Sequence, residues 1–210
     1  MISFIKKEFK AVYSFLERNK NEAVIICFAT LLLILEHYYP VWNKWSSSLI
    51  YFAVVPLIVI TVLLRRNPLD YGLRIGKPRV WVFHVVLFCI IVFPILYAAS
   101  SSSSLKSYYV EESFNMASYS VETFISLLAV EFLFRGFLLF GLKDRYKEGS
   151  ILIQTIPFVI AHLGKPGLET LSTILTGIYF GYVCYRSDSY WPAFLMHLFI
   201  NLYFVAAVNS

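Results

Sequence analysis

The sequence predicts an all-α protein, a polytopic bundle of about seven transmembrane helices that follows an N-terminal amphipathic helix. Hydrophobic residues make up 59% of the 210 residues, and only 15% are charged. The mean hydropathy of +0.68 is higher than a water-soluble domain of this length needs. The apolar residues occur in continuous runs rather than in alternation, which favours spanning helices over a β-barrel.

Seven hydrophobic runs account for the predicted spans. Most of them approach the ~20 residues that a helix needs to cross the hydrocarbon core. Ahead of them, residues 1–21 place apolar side chains at helical spacing with lysines between, which is typical of an amphipathic helix on the cytoplasmic membrane surface. The runs are residues 23–42, 48–64, 80–99, 117–142, 151–162, 168–185 and 190–208.

Basic residues are distributed unequally between the two sets of connections. The N-terminal segment, the connections 65–79 and 143–150, and Arg186 together contribute fourteen Lys and Arg residues, whereas the alternate connections contribute three. Positively charged connections stay in the cytoplasm. The pattern therefore predicts a cytoplasmic N-terminus and an outside C-terminus, and we expect an integral protein of a prokaryotic plasma membrane.

The net charge of +5 fits this topology and contact with anionic lipids. A nucleic-acid surface would need a basic stripe with interleaved stacking aromatics, and the sequence has none outside the apolar runs. We therefore expect membrane lipids, and no nucleic acid, among the partners of the protein.

Polar or ionisable residues interrupt the C-terminal hydrophobic runs at Glu131, Arg135, His162, His197 and Asn201. Charges at bilayer depth are rare and usually mark function. At ~1.5 Å per residue from the cytoplasmic boundaries, all five lie about 10–18 Å deep. Two pairs have a spacing of four residues, which puts each pair on one helical face. These three runs predict one shared site, reached from the cytoplasmic side.

The run 151–162 is too short to cross a bilayer alone, since its length as a helix is only ~18 Å. The segment Gly164-Lys165-Pro166-Gly167 then breaks the helix. Irregular backbone at membrane depth occurs where it is buried in protein or lines a wet cavity. The break therefore predicts a cavity beside His162.

A carboxylate, two imidazoles and an amide are suited to activating a water molecule. The carboxylate would take a proton, or the imidazoles would hold a metal ion that lowers the pKa of the water. The amide of Asn201 would bind an oxyanion. Structural interpretations stay open as well: Glu131 and Arg135 as a packing pair, His197 and Asn201 as interhelical bonds, and His162 as a core histidine.

Two other patterns are expected to be structural. Gly177 and Gly181 form a GxxxG motif in an apolar run, which predicts close packing against a neighbouring helix. Glu36 and His37 adjoin two tyrosines, which is typical of a position at the membrane interface.

Three motifs occur in order in the C-terminal half: Val-Glu-Phe-Leu-Phe-Arg-Gly at 130–136, Phe-Val-Ile-Ala-His at 158–162 and His-Leu-Phe-Ile-Asn at 197–201. In this respect the chain resembles the CAAX prenyl endopeptidase and bacteriocin-processing family of intramembrane proteases, also called the Abi family. Its members share Glu-Glu-x-x-x-Arg, Phe-x-x-x-His and His-x-x-x-Asn/Asp on separate helices. Residues 67–73 also resemble the loop ahead of the family's domain.

The resemblance implies an intramembrane endopeptidase that cleaves a membrane-associated peptide or protein, prenylated or bacteriocin-like, with an activated water. Residues 116–208 would form the catalytic helices, 22–115 the N-terminal spans and loops, and 1–21 the interfacial helix of one membrane domain. His162 and His197 would position the water or bind Zn²⁺, for which two histidines and one carboxylate suffice. A metal-free mechanism would use the same residues.

One position departs from the family motif. The first Glu, which is usually assigned to water activation, is Val130 here, and this implies a branch of the family that lacks it. Glu131 would then be the base, oriented by Arg135, or Glu169 would enter the cavity; Glu169 is also a carboxylate that a helix start favours. The alternative is a catalytically degenerate immunity or peptide-binding protein. A small transporter is disfavoured because no internal repeat is evident.

Overall fold

All regular structure in the described residues, 1–110 and 114–209, is helical in the computed structural model, which confirms the predicted all-α fold. In chain order the helices are α1 (Ile2–Arg18), α2 (Lys20–Tyr38), α3 (Lys44–Leu63), α4 (Pro78–Ala99), α5 (Ser103–Tyr109), α6 (Met116–Tyr146), α7 (Gly149–Ile160), α8 (Gly167–Ser187) and α9 (Trp191–Val208), with a 3-10 turn at Pro68–Tyr71.

Five helices in the described part of the chain are long and apolar enough to cross a bilayer: α2, α3, α4, α6 and α9. Helix α7 has only 12 residues and is too short, as its run predicted. Helix α8 has 21 residues, which is long enough to cross. Glu169 and several Ser and Thr residues in its first half make it less apolar than the five candidate spans. The fold is that of an integral membrane protein, and the count of seven spans stays a prediction.

The 31-residue α6 is the central helix of the bundle. It packs against α3, α7, α8 and α9. Directly after Glu131 its turns widen into a π-helix over Phe132–Phe140, and residues 131–139 are all buried. Wider turns redirect side chains and are frequent at functional sites. The polar residues of α6 are therefore held by a rigid and densely packed part of the fold.

Helices α7 and α8 approach closely because α8 presents glycines to α7. A Cβ atom at Gly177 would lie 2.9 Å from Thr155 Cγ2, and one at Gly181 would lie 2.6 Å from Gln154 Nε2. Gln154 Nε2 donates a hydrogen bond to the Gly177 carbonyl at 2.9 Å. The predicted packing role of the two glycines is confirmed, and this contact holds α7 and its C-terminal turn in the bundle.

The α3–α4 connection is tied to the α8–α9 connection at one end of the bundle. The Lys77 amide donates to the Ser187 carbonyl at 2.8 Å, and the Tyr190 amide donates to the Gly72 carbonyl at 2.9 Å. Gly76 has a φ of +66°, and a Cβ atom there would collide with the Ser187 carbonyl oxygen. Only glycine fits such a position.

We call this the basic end of the bundle; it comprises the connections 64–77, 147–148 and 188–190. Asp188 links its parts, because its carboxylate pairs with Lys143 Nζ and Lys77 Nζ at 2.6 Å each. Burial by itself would raise the pKa of Asp188, but hydrogen bonds from the two lysines outweigh it and lower the pKa. The carboxylate is therefore ionised at neutral pH.

Candidate active site

Glu131 and Arg135 form a fully buried ion pair one turn apart on α6. Arg135 Nη1 donates to Glu131 Oε1 at 3.1 Å and lies 3.0 Å from Oε2. Both side chains have 0% exposure. The Phe158 ring covers the guanidinium, with 3.9 Å between Cζ and the ring centroid, which adds a cation–π contact.

His197 of α9 contacts the same carboxylate. Its Nδ1 lies 2.6 Å from Glu131 Oε1. An ionised carboxylate only accepts hydrogen bonds, so Nδ1 carries the hydrogen and Nε2 keeps its lone pair. A carboxylate on one ring nitrogen fixes the tautomer and the orientation of the ring. The structure thus brings Glu131, Arg135 and His197 together in one linked group.

His162 lies just past α7, in the turn that breaks the helix. Its Nδ1 donates to the Phe158 carbonyl at 2.8 Å, so its Nε2 also keeps a lone pair. Thr170 Oγ1 and the Lys165 amide donate to the His162 carbonyl at 2.9 and 3.2 Å, which fixes the turn. The ring centroids of His162 and His197 are 6.2 Å apart.

Both histidines line a cavity of about 1040 Å³, as the helix break predicted for His162. Asn201 lines it too, one turn beyond His197, and its Nδ2 donates to the His197 carbonyl at 3.1 Å. Neither Glu131 nor Arg135 is among the described residues that line the cavity. The histidines and Asn201 therefore face the cavity, while the ion pair lies behind His197.

Val130 lines the cavity at the position where the family motif has its first Glu. Consecutive residues of a helix point about 100° apart, so Val130 faces the cavity while Glu131 turns toward α9. The wall is therefore apolar where the motif would supply a carboxylate, and Glu131 is not among the described lining residues.

Glu169 lies behind two residues of the cavity wall. Its Oε2 accepts a hydrogen bond from the Tyr109 hydroxyl and its Oε1 pairs with Lys165 Nζ, both at 2.7 Å. Burial raises the pKa of Tyr109 most, and the Glu169 carboxylate raises it further, so the hydroxyl stays a donor. Tyr109 and Lys165 line the cavity and Glu169 is not among the described lining residues. The Glu169 carboxylate is therefore bonded to Tyr109 and Lys165 rather than exposed on the cavity wall.

The residues of the site do not fit a catalytic zinc ion. Such a site needs three protein ligands. Within residues 1–110 and 114–209, no three His, Cys, Asp or Glu side chains are placed to hold one metal ion. His162 and His197 offer two nitrogens, but Glu131 is bonded to the far side of the His197 ring.

Two residues of the site were not assigned a role from the sequence. Phe158 accepts the hydrogen bond of His162 and covers Arg135, and its position four residues before His162 was a usable signal. Tyr109 precedes Glu169 by 60 residues, and no local pattern relates the two.

The part of the chain that builds this site is similar to known proteases. Residues 112–203, which contain all three motifs, match the family described as type II CAAX prenyl endopeptidase, Rce1-like. Neither a curated protein nor a solved structure matches the chain. The chain is an integral membrane protein by its apolar helices, and its residues 112–203, with the three motifs in family order, are similar to the Rce1-like type II CAAX prenyl endopeptidase family.

Proposed function

We propose that the protein is an intramembrane endopeptidase in which His197 activates the attacking water. The observation that carries the proposal is the 2.6 Å contact between Glu131 Oε1 and His197 Nδ1, on a histidine that lines the cavity. This contact makes Nε2 the basic atom of the ring. Glu131 is then a positioning residue rather than the base, and Arg135 balances its buried charge.

The residues of the cavity can supply every proton transfer of the proposed reaction. His197 Nε2 takes a proton from water as the water oxygen bonds to the peptide carbonyl carbon. His162 Nε2 accepts the second hydrogen of the water and so positions it. The Asn201 amide stabilises the oxyanion of the tetrahedral intermediate. The imidazolium of His197 then gives its proton to the leaving amine as the C–N bond breaks.

The cavity wall favours a membrane-associated substrate. Ile34 of α2 and Ile156 and Ile160 of α7 line the cavity and are 48%, 62% and 58% exposed. Apolar side chains at the edge of a cavity within a membrane allow lateral approach from lipid. We therefore propose a peptide or protein substrate held in the bilayer, with prenylated and bacteriocin-like peptides as the classes to test.

The test is cleavage of fluorogenic peptides, with and without a C-terminal farnesyl group, by the full-length protein in lipid nanodiscs. We expect His197→Ala and His162→Ala to lower the cleavage rate by about 10²–10⁴-fold, the usual contribution of acid–base catalysis. Glu131→Gln should lower it comparably, because its amide can donate to Nδ1 and select the wrong tautomer. Glu169→Gln should retain most of the rate.

The matched control is His84→Ala, which removes a histidine bonded to the Tyr179 hydroxyl. His84 is not among the described lining residues of the cavity. Equal rates for the wild type, His197→Ala and His84→Ala would refute the proposed reaction. Loss of cleavage with a chelator and recovery with zinc would refute the metal-free chemistry specifically.

A second candidate function is supported by Val130. An apolar residue where the family has its first Glu suits a degenerate protein that binds a peptide in the cavity without cutting it, such as an immunity protein. The two functions differ in the effect of Val130→Glu, which restores the carboxylate on the cavity wall. If the wild type binds peptides without cleaving them, and Val130→Glu cleaves them, the binding function holds and the endopeptidase proposal fails.

A further inference from the structure

The cavity extends along several long helices and reaches the same end of the bundle on each of them. On α2 and α9 the lining residues extend to the C-terminal part of the helix, and on α3 and α6 they extend to the N-terminal part. These parts lie together at the end of the bundle opposite the basic end, which we call the distal end. The lining residues nearest to it are Tyr38, Lys44, Tyr119 and Val205.

The basic end, by contrast, is closed by packed side chains. None of its connections, all of which are described, contributes a residue to the cavity lining. Tyr71 from the 3-10 turn stacks on Phe137 of α6 with ring centroids 6.4 Å apart. Leu142 and Tyr190 are buried in the same cluster. A peptide would have to displace this core to reach the histidines from the basic end.

The distal mouth has the chemistry of a peptide-binding surface. Glu36 and Glu122 contribute carboxylates, Lys44 an ammonium, and Tyr108 and Tyr109 aromatic rings with hydroxyl groups. Deeper in the cavity, Thr123 and Ser126 of α6 continue the polar lining toward the histidines. Such groups can donate to and accept from peptide groups that leave water.

We infer that the peptide substrate reaches the site through the distal mouth, and thus from the non-cytoplasmic side of the membrane. The N-terminal segment and the connections on its side of the membrane carry fourteen Lys and Arg residues, and the alternate connections carry three. Because basic connections stay in the cytoplasm, the basic end is cytoplasmic and the distal end faces the other side. The ligand would be an extended segment exposed on that side; its identity as a substrate rests on the proposed function. Depth along the helices predicted cytoplasmic access, but depth does not reveal toward which end a cavity opens.

The test compares two exposed positions near opposite ends of α6. Cys27 and Cys89 are first replaced by serine, which leaves Cys184 buried. Glu122→Cys then places a thiol in the distal mouth, and Arg145→Cys places one at the other end of the same helix. A charged, membrane-impermeant maleimide is added to intact cells and, separately, to inverted vesicles. We expect Glu122→Cys to react in intact cells and Arg145→Cys to react only in inverted vesicles.

Two results would overturn the inference. Glu122→Cys could react only from the side where Arg145→Cys reacts, or from neither side although it reacts in detergent. Labelling needs no catalysis, so the experiment separates the two proposals. If Glu122→Cys reacts from outside and no peptide is cleaved, distal access holds and the proposed function fails. If peptides are cleaved and Glu122→Cys reacts only from the side where Arg145→Cys reacts, the proposed function holds and distal access fails.

Discussion

Two carboxylates in this protein are each held by two nitrogen groups, and they differ in their surroundings. Glu131 is paired with Arg135 and His197 and has 0% exposure. Asp188 is paired with Lys143 and Lys77 at the basic end, and its side chain is 46% exposed. Water screens the second group but not the first. Similar contact distances therefore correspond to different energies.

The comparison also separates two uses of an ion pair. Asp188 adds an exposed ion pair between connections that backbone hydrogen bonds already join, so a neutral replacement can leave the fold intact. Glu131 carries a charge into the bundle, where removing one partner leaves the other unpaired. Only the buried group includes a residue that faces the cavity, namely His197. Retaining a costly buried charge is understandable if it serves that histidine.

The largest expected effect is that of Arg135→Met. It leaves Glu131 buried without its cation, which should lower the free energy of unfolding by about 3–5 kcal/mol. Denaturant titration in detergent micelles measures this. Arg186→Met is the matched control, because Arg186 is exposed on α8, and it should change stability by no more than about 0.5 kcal/mol. Equal losses for the two variants would show that burial does not distinguish the sites.

A double-mutant cycle sharpens the comparison. Glu131→Gln and Arg135→Met together should cost less than the sum of the single changes, with a coupling of about 0.5–3 kcal/mol, because each single change strands a buried charge. The same cycle on Asp188→Asn and Lys143→Met should give about 0–1 kcal/mol. A coupling at the basic end as large as the one on α6 would contradict the role assigned to solvent screening.

Helix geometry made part of this arrangement predictable. The spacing of Glu131 and Arg135 predicted their pairing, because residues four apart share a face. Helix ends were harder to predict. The run 23–42 extends past Tyr38, where α2 ends, since Pro40 disfavours helical backbone at Tyr39. The cap formed by Asn43 at the start of α3 was a readable signal that hydropathy alone does not use.

The direction of the side chains could not be predicted. Glu131 or Glu169 was predicted to be the base, and sequence alone did not show that Glu131 contacts His197, because α9 packs beside α6, while Val130 faces the cavity. This depends on packing between helices far apart in sequence and on the π-helical turns of Phe132–Phe140. Glu169 is another example, since its partner Tyr109 comes from a different helix.

A smaller effect is expected from Asp188→Asn, and it depends on pH. The pKa of Asp188 is lowered in the folded protein, so its contribution is present above the unfolded value near 3.8 and is lost as pH falls through the folded value. The variant should cost about 0–1 kcal/mol at pH 7, since the group is half exposed. It should converge with the wild type below about pH 3. Asn tolerates the left-handed backbone at this position, so geometry is preserved.

Unfolding titrations at pH 7, 5 and 3 provide the measurement. A constant difference between Asp188→Asn and the wild type across these pH values would mean that the effect is not electrostatic. Asp188→Ala is the control for the backbone. It should remain less stable than Asp188→Asn at every pH, because alanine is strained at a φ of 55°.

The smallest effect is expected from Lys77→Met, and Lys143→Met is its internal comparison. Both ammonium groups lie 2.6 Å from Asp188, but their side chains are 60% and 24% exposed. Lys143 Nζ also donates to the Tyr185 carbonyl at 3.1 Å and lies 4.4 Å from the ring centroid of Tyr185. Lys77→Met should therefore change the free energy of unfolding by no more than about 0.5 kcal/mol, and Lys143→Met should cost more. If Lys77→Met were the more harmful change, contact distance rather than burial would determine the strength of these ion pairs.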